Sequence, residues 1–347
     1  MNPAPAPPQP RIATVPTILF ECTQRCNLDC VYCYNIWKAP GGRAVPEMPT
    51  LRTIRLLNRV VRQTGCRQVA FTGGEPLLRE DLLELAAFLR LRGVRTSVLT
   101  NGTLLDRRWV EDLRAVGVGL FQVTLLGMDR EVHDRHCGPG SHDAALRAIE
   151  AIRSASGRVA VTFILTAWNL AEIEPVCRYV ASLGLGGFMF NRFNPGGEGL
   201  RHLDDLLPGR ETLLAALDTA DEAAARHRVQ PFLAVPVPPC VAAPERFPHL
   251  RLAWCIAGSR LTYFTVDPQG NVRLCNHSPT VLGNLFDTAF ADLANADAVR
   301  RFRNSRPDLC ADCPHWERCL GSCRAASEQL LGTCRGLDPF LQRMGIG

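Results

Sequence analysis

The cysteines constrain this protein more than any other feature of its sequence, since 15 of them occur in a chain of 347 residues. Most fall into two constellations, one near the amino terminus and one in the last hundred residues. The sequence opens without the charged segment and apolar run of a signal peptide, so we expect a cytoplasmic protein. Because disulfides are disfavoured in that compartment, the clustered cysteines are expected to be metal ligands or catalytic groups.

Composition excludes some other classes of function. The net charge is +5, from 39 basic and 34 acidic residues, and no basic run stands out, so nucleic acid is not the expected partner. No apolar stretch approaches the roughly 20 residues of a membrane-spanning helix, so we expect no membrane partner. The hydrophobic content of 46% and charged content of 21% are ordinary for a soluble globular enzyme.

From about residue 17, short β-branched runs alternate with longer amphipathic runs. The predicted strands are 17–23, 68–73, 95–101, 120–127, 159–166 and 187–193, and the predicted helices are 51–64, 80–92, 106–115, 143–155, 170–183 and 210–227. Six strand–helix units in series predict a parallel sheet with right-handed crossovers. Both an incomplete barrel and an open doubly wound sheet satisfy this pattern.

The pattern predicts four segments along the chain. Residues 1–16 form a Pro-rich tail that we expect to be disordered, and 17–227 carry the strand–helix units. Residues 228–250 are Pro-rich and are expected to be a linker. Residues 251–347 are expected to form a small α+β domain, which opens with a hairpin whose turn is DPQG.

The first cysteine constellation follows the first predicted strand. Cys26, Cys30 and Cys33 have a C-x3-C-x2-C spacing, and thiolates this close together suit an iron–sulfur cluster or zinc. Three cysteines on a 4Fe–4S cluster leave one iron open to chelate another molecule. A structural zinc knuckle is the alternative.

With Tyr32 before its last cysteine, this motif resembles the signature of the radical S-adenosylmethionine (SAM) superfamily. In that family the open iron binds the amino and carboxylate groups of SAM. One electron then cleaves SAM to methionine and a 5′-deoxyadenosyl radical, which abstracts hydrogen from the substrate. The resemblance implies the same cofactors here, together with an electron donor of the flavodoxin or ferredoxin type.

Further positions resemble the SAM-binding residues of the family. The second predicted strand runs into Gly73-Gly74-Glu75-Pro76, which resembles the GGEP that contacts the SAM amino group. By the same resemblance the remaining candidates are Asn101 in a TNG stretch, Thr124 and Asn169, and Arg135 could supply the charge of an Arg that relatives carry two residues later. For the polar residues at the strand ends, capping of the following helix is the alternative role.

The second constellation lies in the last hundred residues. Its seven cysteines are Cys255, Cys275, Cys310, Cys313, Cys319, Cys323 and Cys334. The spacing resembles the SPASM domain, which usually holds two auxiliary 4Fe–4S clusters. The resemblance assigns Cys310, Cys313, Cys319 and Cys334 to one cluster, and Cys255, Cys275 and Cys323 to the other. Two structural zinc sites are the alternative, although seven cysteines divide poorly into fours.

Two more cysteines are candidates by position. Cys240 is a possible eighth ligand, for the cluster of Cys255, or a linker thiol beside an iron that is open or bound by water. Cys137 stands where relatives commonly carry Arg, and it is either a hydrogen-atom donor or a buried thiol. Asn276 occupies the place of a catalytic Asp in the anaerobic sulfatase-maturing subfamily. Since an amide cannot accept a proton, formylglycine formation is not expected.

The resemblance covers residues 17–340 and implies an incomplete (β/α)6 TIM-like barrel followed by a small α+β SPASM domain with auxiliary clusters. Three 4Fe–4S clusters are expected in all. The expected substrate is a ribosomally made peptide or protein, modified by crosslinking, thioether formation, epimerisation or oxidation. A separate leader-peptide recognition protein is the expected partner. The alternatives are a small-molecule substrate, such as a tetrapyrrole or sugar, and a non-catalytic iron–sulfur or zinc scaffold.

Overall fold

A computed structural model describes residues 11–259 and 261–346. Most of the predicted Pro-rich tail lies outside the described residues. The described strands are β1 Thr17–Thr23, β2 Gln68–Gly73, β3 Arg95–Thr100, β4 Val118–Thr124, β5 Val159–Leu165, β6 Gly187–Arg192, β7 Gln230–Leu233, β8 Arg251–Leu252, β9 Phe264–Val266, β10 Asn271–Arg273 and β11 Val281–Asn284. They form one sheet, with the order β11-β10-β9-β1-β2-β3-β4-β5-β6-β7-β8.

The described helices follow the strands in alternation through the first two thirds of the chain. They are α1 Thr50–Thr64, α2 Leu82–Leu91, α3 Arg107–Ala115, α4 Arg130–Cys137, α5 Ser141–Ser154, α6 Ile173–Ser182, α7 Leu203–Leu206, α8 Arg210–His227, α9 Phe290–Ala294, α10 Asp297–Asn304, α11 Trp316–Cys319, α12 Arg324–Leu331 and α13 Pro339–Arg343. No described helix combines the length and the apolar character needed to cross a bilayer.

The parallel sheet carries a continuous apolar row across its strands. Phe20 lies opposite Phe71, Phe71 opposite Val98, and Val98 opposite Phe121, and all four side chains are fully buried. Strands covered on both faces need such β-branched and aromatic runs rather than alternation. The six predicted strands and six predicted helices are confirmed, each end within three residues. The parallel order places the carboxyl ends of β1 to β6 along one edge.

The segment predicted as a linker contains a strand. Within residues 228–250, β7 pairs in parallel with β6, and Pro231 stands opposite Phe188. The strand escapes sequence analysis because it has four residues and includes a proline, which cannot donate to the ladder. The sheet therefore continues beyond the six expected units, through β7 to the edge strand β8.

The predicted hairpin is confirmed, and it extends the same sheet. Strands β9 and β10 pair antiparallel, and Gly270 adopts a φ of +90° at the end of the turn between them. On its other side β9 pairs in parallel with β1, Phe264 lying opposite Ile18. A buried ion pair between Arg273 and Glu21 reinforces this junction. The carboxyl-terminal hairpin and the first cysteine motif therefore share the strand β1.

Candidate active site and cysteine sets

The first three cysteines lie in the loop that follows β1, which we call the cysteine loop (residues 24–35). The backbone N–H of Cys33 donates to the carbonyl of Cys30 at 3.1 Å, which turns the loop back on itself. The N–H of Val31 donates to the carbonyl of His136 at 3.0 Å, near the end of α4. The loop is therefore closed on one side by α4, a helix that sequence analysis did not predict.

The thiols of this loop influence one another electrostatically. Burial raises the pKa of Cys33 to about 12; negative charge on Cys30 and Cys26 adds to the shift, and Lys38 opposes it. Burial also raises the pKa of Cys26, with Cys30 acting in the same direction. Thiolates gathered here repel one another, so a metal centre that withdraws their charge would stabilise the deprotonated loop.

The donor chemistry of this loop fits an iron–sulfur cluster. Among residues 11–259 and 261–346, no three His, Cys, Asp or Glu side chains are grouped so that they could hold a metal ion. The structure nevertheless brings three soft thiols into one short, half-buried loop at the carboxyl end of a parallel sheet. Such sites suit thiolate-bound iron, and this edge is where parallel sheets bind ligands.

Two glycines allow the cysteine loop to lie against the end of β2. A Cβ on Gly73 would lie 2.0 Å from the carbonyl oxygen of Thr23, and one on Gly74 would lie 1.9 Å from that of Arg25. The N–H of Gly74 donates to Thr23 at 2.9 Å, and the N–H of Glu75 donates to Arg25 at 2.8 Å. The glycines therefore admit the neighbouring backbone of the cysteine loop.

Glu75 is buried at the junction of β2 and β3. Its carboxylate accepts hydrogen bonds from the Thr100 hydroxyl (2.8 Å) and from the backbone N–H groups of Asn101 (2.8 Å) and Leu77 (3.2 Å). Burial raises its pKa to about 7, against the opposing effect of these donors. Pro76 follows, buried at the start of a single 3-10 turn. Hydrogen bonds from residues at the ends of β2 and β3 thus fix the orientation of the Glu75 carboxylate.

The TNG stretch after β3 is tied to the cysteine loop by side chains. The Asn101 amide donates to Asn27 at 2.9 Å, and the Asn27 amide donates to the Thr103 hydroxyl at 2.7 Å. Sequence analysis did not identify Asn27, because a single polar residue between two cysteines carries no distinctive signal. The two loops nevertheless form one unit.

Asn169 is completely buried between two strand ends. Its amide donates to the carbonyls of Leu126 (3.0 Å) and Ile164 (2.9 Å), and its oxygen accepts from the N–H of Thr166 at 2.8 Å. These contacts connect the ends of β4 and β5. Thr124 lies half-buried at the end of β4.

Arg135 is exposed on α4. Its guanidinium lies 3.7 Å from the ring centroid of Trp168, close enough for a cation–π contact. The neighbouring His136 ring bonds to the Thr166 hydroxyl at 2.8 Å. The arginine and the indole ring therefore lie against each other near the end of β5. Sequence analysis identified Arg135 but not Trp168.

Cys137 adjoins the cysteine loop. Its sulfur lies 3.6 Å from the Tyr32 hydroxyl, and its side chain is 4% exposed. A hydrogen bond with the Cys137 thiol raises the pKa of Cys30 well above its ordinary value, and burial adds to the shift. The buried thiol is therefore a neighbour of the three-cysteine motif rather than an isolated core residue.

In the carboxyl-terminal region Cys255, Cys275 and Cys323 act on one another electrostatically, and we call these three the hairpin set. Burial raises the pKa of Cys323 to about 12, with Asp338 the next contributor and Cys255 acting in the same direction. Burial raises the pKa of Cys275 above its ordinary range, with Cys323 and Cys255 adding to the shift. These are the three residues expected to share one auxiliary cluster.

Cys310, Cys313 and Cys319 form a second group, the C-terminal set. Burial raises the pKa of Cys319 to about 11, with Cys240 and Cys310 acting in the same direction. Cys240 also contributes to the raised pKa of Cys310, so it lies beside this set. Sequence analysis had expected Cys240 beside Cys255. Cys334, the expected fourth member, has its sulfur 3.6 Å from the Ser305 hydroxyl.

A buried arginine anchors the segment that precedes Cys240. The Arg192 guanidinium donates to the carbonyl of Pro236 at 2.8 Å, and also to the Ser322 hydroxyl at 3.1 Å and to Asp338 at 2.5 Å. These bonds hold the segment before Cys240 against the turn that follows the C-terminal set. Long-range side-chain contacts of this kind leave no local pattern in the sequence.

Comparison with known proteins agrees with this architecture. The Radical SAM superfamily matches residues 20–180, and the SPASM iron–sulfur cluster-binding domain matches residues 255–314. The PqqA peptide cyclase of Xanthomonas oryzae pv. oryzae is 30% identical over 340 residues, which cover 94% of this chain and 87% of that protein. The PqqA peptide cyclase of Granulibacter bethesdensis is 28% identical over 330 residues, covering 93% and 86%.

Solved structures share the fold at lower identity. Streptococcus suis SuiB bound to precursor peptide SuiA superposes with a TM-score of 0.75 at 14% identity, covering 94% of this chain and 76% of that one. Native anSMEcpe with bound AdoMet gives 0.71 at 18% identity, covering 94% of each chain. The cysteine spacing, the parallel sheet and the full-length similarity agree, and the chain belongs to the radical SAM superfamily, as an enzyme with a SPASM iron–sulfur cluster-binding domain.

Proposed function

We propose that this enzyme modifies a ribosomally synthesised peptide or protein by radical chemistry, through crosslinking, thioether formation, epimerisation or oxidation. The observation that carries the proposal is the 30% identity with a PqqA peptide cyclase across 94% of this chain. That similarity spans the cysteine loop, the strand ends around it and both carboxyl-terminal cysteine sets, so it is not confined to one module.

Cys26, Cys30 and Cys33 would hold a 4Fe–4S cluster whose open iron takes SAM. When bound, this cluster supplies the electron that cleaves SAM to a 5′-deoxyadenosyl radical, which abstracts hydrogen from the substrate. The chain's own residues keep the loop in place: Gly73 and Gly74 admit its backbone, and Lys38 supplies positive charge beside the thiolates. Lys38 also donates to the carbonyl of Leu28 at 2.8 Å.

The SAM-binding residues remain a proposal. They are Tyr32, Gly73, Gly74, Glu75, Pro76, Asn101, Thr124, Arg135 and Asn169. Glu75 would receive the SAM amino group, because its buried carboxylate is the charged acceptor at the end of β2. Asn101 and Asn169 would act by positioning the strand ends, since their side chains are engaged with the protein. Cys137 would be the candidate hydrogen-atom donor, beside Tyr32.

Two auxiliary 4Fe–4S clusters would bring the total to three. The hairpin set would hold one of them. The C-terminal set with Cys334 would hold the other, and Cys240 competes with Cys334 for the fourth position, because its charge acts on Cys310 and Cys319. The SPASM match covers the start of this region at residues 255–314. We propose domains at 17–227 and 251–347, as expected from the sequence, with the segment between them adding the strand β7 to the sheet of the first domain.

Peptide mass spectrometry with SAM-cleavage analysis tests the proposal. Anaerobically reconstituted, dithionite-reduced enzyme is incubated with SAM and the peptides encoded beside its gene, with Cys26→Ala as the inactive control. We expect 5′-deoxyadenosine together with a mass change in one peptide. Formation of 5′-deoxyadenosine with every peptide unchanged would point to a small-molecule substrate, and its absence would leave a non-catalytic scaffold. Either result overturns the proposed peptide modification.

Two partners accompany this proposal. A flavodoxin or ferredoxin would supply the electron in the cell, and a separate protein would present the leader segment of the substrate. Repeating the assay with a purified flavodoxin and its reductase in place of dithionite tests the first. Adding small proteins encoded next to the gene and measuring the rate of peptide modification tests the second.

A further inference from the structure

Arg324 is a buried cation whose two Nη groups lack hydrogen-bond partners among the described residues. It begins α12 directly after Cys323, and its side chain is 1% exposed. The Nε donates to the carbonyl of Leu320 at 2.9 Å, but neither Nη has a hydrogen-bond partner in the described part of the chain. Burying a guanidinium without acceptors is costly, so these Nη groups require an anionic or sulfur partner that the protein chain does not supply.

The walls around Arg324 are aromatic. The guanidinium lies 5.0 Å from the ring centroid of Trp316 and 5.8 Å from that of Phe302. Contacts with ring faces favour the cation but leave its N–H groups free for acceptors elsewhere. The two rings therefore fix the position of the Arg324 side chain but provide no hydrogen-bond acceptor for its Nη groups.

Several cysteines act electrostatically on Arg324. Burial lowers the pKa of its guanidinium and the neighbouring Arg303 acts in the same direction, while Cys334, Cys255 and Cys310 oppose the shift. Glu328, one turn along α12, is also within electrostatic range, but its carboxylate accepts from the Ser278 hydroxyl at 2.5 Å. Among the described residues no carboxylate forms a salt bridge with Arg324. The guanidinium thus adjoins the hairpin set through the preceding residue Cys323, and the C-terminal set through Trp316, which stands between Cys313 and Cys319.

The sulfurs of an iron–sulfur cluster are suitable acceptors for these hydrogens. Hydrogen bonds to cluster sulfurs and nearby positive charge stabilise the reduced cluster, which carries one more negative charge. We propose that Arg324 donates from its two Nη groups to sulfurs of both auxiliary clusters and raises the reduction potential of each. This inference rests on the proposed function, in which the two cysteine sets hold clusters.

The chemistry of the side chain explains why arginine suits this place. A guanidinium is planar and presents two Nη groups in a rigid fork, so one side chain can serve acceptors on two sides. A lysine ammonium is a single point charge on a flexible stem. Arg324 is therefore a positioning residue that links the electrostatics of the two clusters, and it makes each of them easier to reduce.

Redox titration of the anaerobic holoenzyme, followed by electron paramagnetic resonance, tests the role of Arg324. Arg324→Met preserves much of the side-chain volume and removes the charge. We expect unchanged iron content and an unchanged signal from the SAM-binding cluster. At a fixed potential, the ratio of reduced to oxidised auxiliary clusters should fall about tenfold, which is ~59 mV for a one-electron couple.

Arg306→Met is the matched control. Arg306 packs 4.7 Å from the centroid of the same Trp316 ring but is exposed, so solvent screens its charge. We expect this variant to shift the auxiliary potentials much less. Fully loaded Arg324→Met with auxiliary potentials equal to those of the wild type would overturn the inference and leave the proposed function intact.

A second variant is used if Arg324→Met does not retain its iron. Arg324→Lys keeps one charge but not the fork, so at least one auxiliary potential should fall, whereas wild-type potentials for both clusters would refute the role of Arg324. Wild-type protein that binds iron for one cluster only would instead overturn the proposed auxiliary clusters. The two failures are therefore distinguishable by iron content alone.

Discussion

The cysteine loop and the carboxyl-terminal cysteine sets are held in place by different means. Backbone contacts at strand ends fix the loop: the N–H of Gly74 donates to Thr23, and the N–H of Glu75 donates to Arg25. Buried side-chain ion pairs fix the carboxyl-terminal region, where Arg192 joins Asp338. The first arrangement belongs to the regular parallel sheet, and the second crosses between segments far apart in the sequence.

This difference predicts different sensitivities. A backbone-to-backbone fit has no room for an added carbon, so substitutions that change volume should damage the cysteine loop. A region held by buried ion pairs should tolerate changes in side-chain volume better. It should lose stability when one partner of a pair loses its charge, since the other partner is then left buried and unpaired. The two regions can therefore be distinguished by measuring whether a variant loses the iron of the cysteine loop or the iron of the carboxyl-terminal sets.

Removing a proposed cluster ligand from the cysteine loop should have the largest effect. Cys30→Ala should lower the iron content by about four atoms per chain. It should also reduce 5′-deoxyadenosine formation by more than the ~100-fold typical of losing an outer-shell partner. The iron of the carboxyl-terminal sets should remain. Cys177→Ala, in the core of α6, is the control and should keep both iron and activity; equal activity in the two variants would contradict the assignment.

Asp338→Asn should damage the carboxyl-terminal region. The carboxylate accepts from Arg192 at 2.5 Å and from the N–H of Cys323 at 2.9 Å. Breaking a buried pair costs about 3–5 kcal/mol, so chemical denaturation should show a loss of that size, with auxiliary iron lost first. Asp308→Asn removes an exposed partner of Arg335 and should leave stability nearly unchanged. Loss of the SAM-binding cluster alone would contradict the comparison.

Gly74→Ala should damage the cysteine loop. The new Cβ would meet the carbonyl oxygen of Arg25 at 1.9 Å, so the loop must move. We expect a loss of about 3 kcal/mol in the free energy of unfolding, with iron of the SAM-binding cluster lost and auxiliary iron retained. Gly186→Ala, where nothing lies within 4 Å of the new Cβ, is the matched control. If Gly74→Ala were as stable as Gly186→Ala, the close approach of the cysteine loop to Gly74 would not be needed.

The pH dependence of stability tests the buried carboxylate of Glu75. Its pKa of about 7 in the folded protein lies above the ordinary value near 4.3, so the folded state binds the proton more tightly than the unfolded chain. Between about pH 4.5 and 7, the contribution of Glu75 to stability should therefore fall as pH rises, by up to about 3 kcal/mol. In urea unfolding without SAM, the free energy of unfolding should depend less steeply on pH for Glu75→Gln than for the wild type. Parallel slopes would show that Glu75 does not titrate in this window.

Much of the fold was predictable because its determinants are local. The runs that become β1, β2 and β6 are rich in β-branched and aromatic residues and alternate with amphipathic helices. Short motifs such as C-x3-C-x2-C carry their spacing within eight residues, so they were identified without tertiary information. The hairpin was likewise predicted, since Gly270 ends a turn that needs a positive φ.

Other features could not be predicted because their determinants are distant in the sequence. Strand β7 forms although Pro231 interrupts its pattern, because β6 supplies a parallel partner. The segment before Cys240 is anchored by Arg192, more than 40 residues earlier, which donates to the carbonyl of Pro236. The close approach at Gly73 and Gly74 also depends on the fold, because the carbonyls of Thr23 and Arg25 meet these glycines only where β1 and β2 lie side by side.

The sequence by itself determined the chemistry of this protein: soft thiols in two spacings, glycines at a strand end, and the alternation that builds a parallel sheet. Only the tertiary structure decided which thiols are neighbours, that β9 joins β1 into one sheet, and that the two Nη groups of the buried Arg324 find no acceptor among the described residues. Residue type and local spacing are properties of the chain, whereas proximity across hundreds of residues arises when burial and long-range hydrogen bonds bring the segments together.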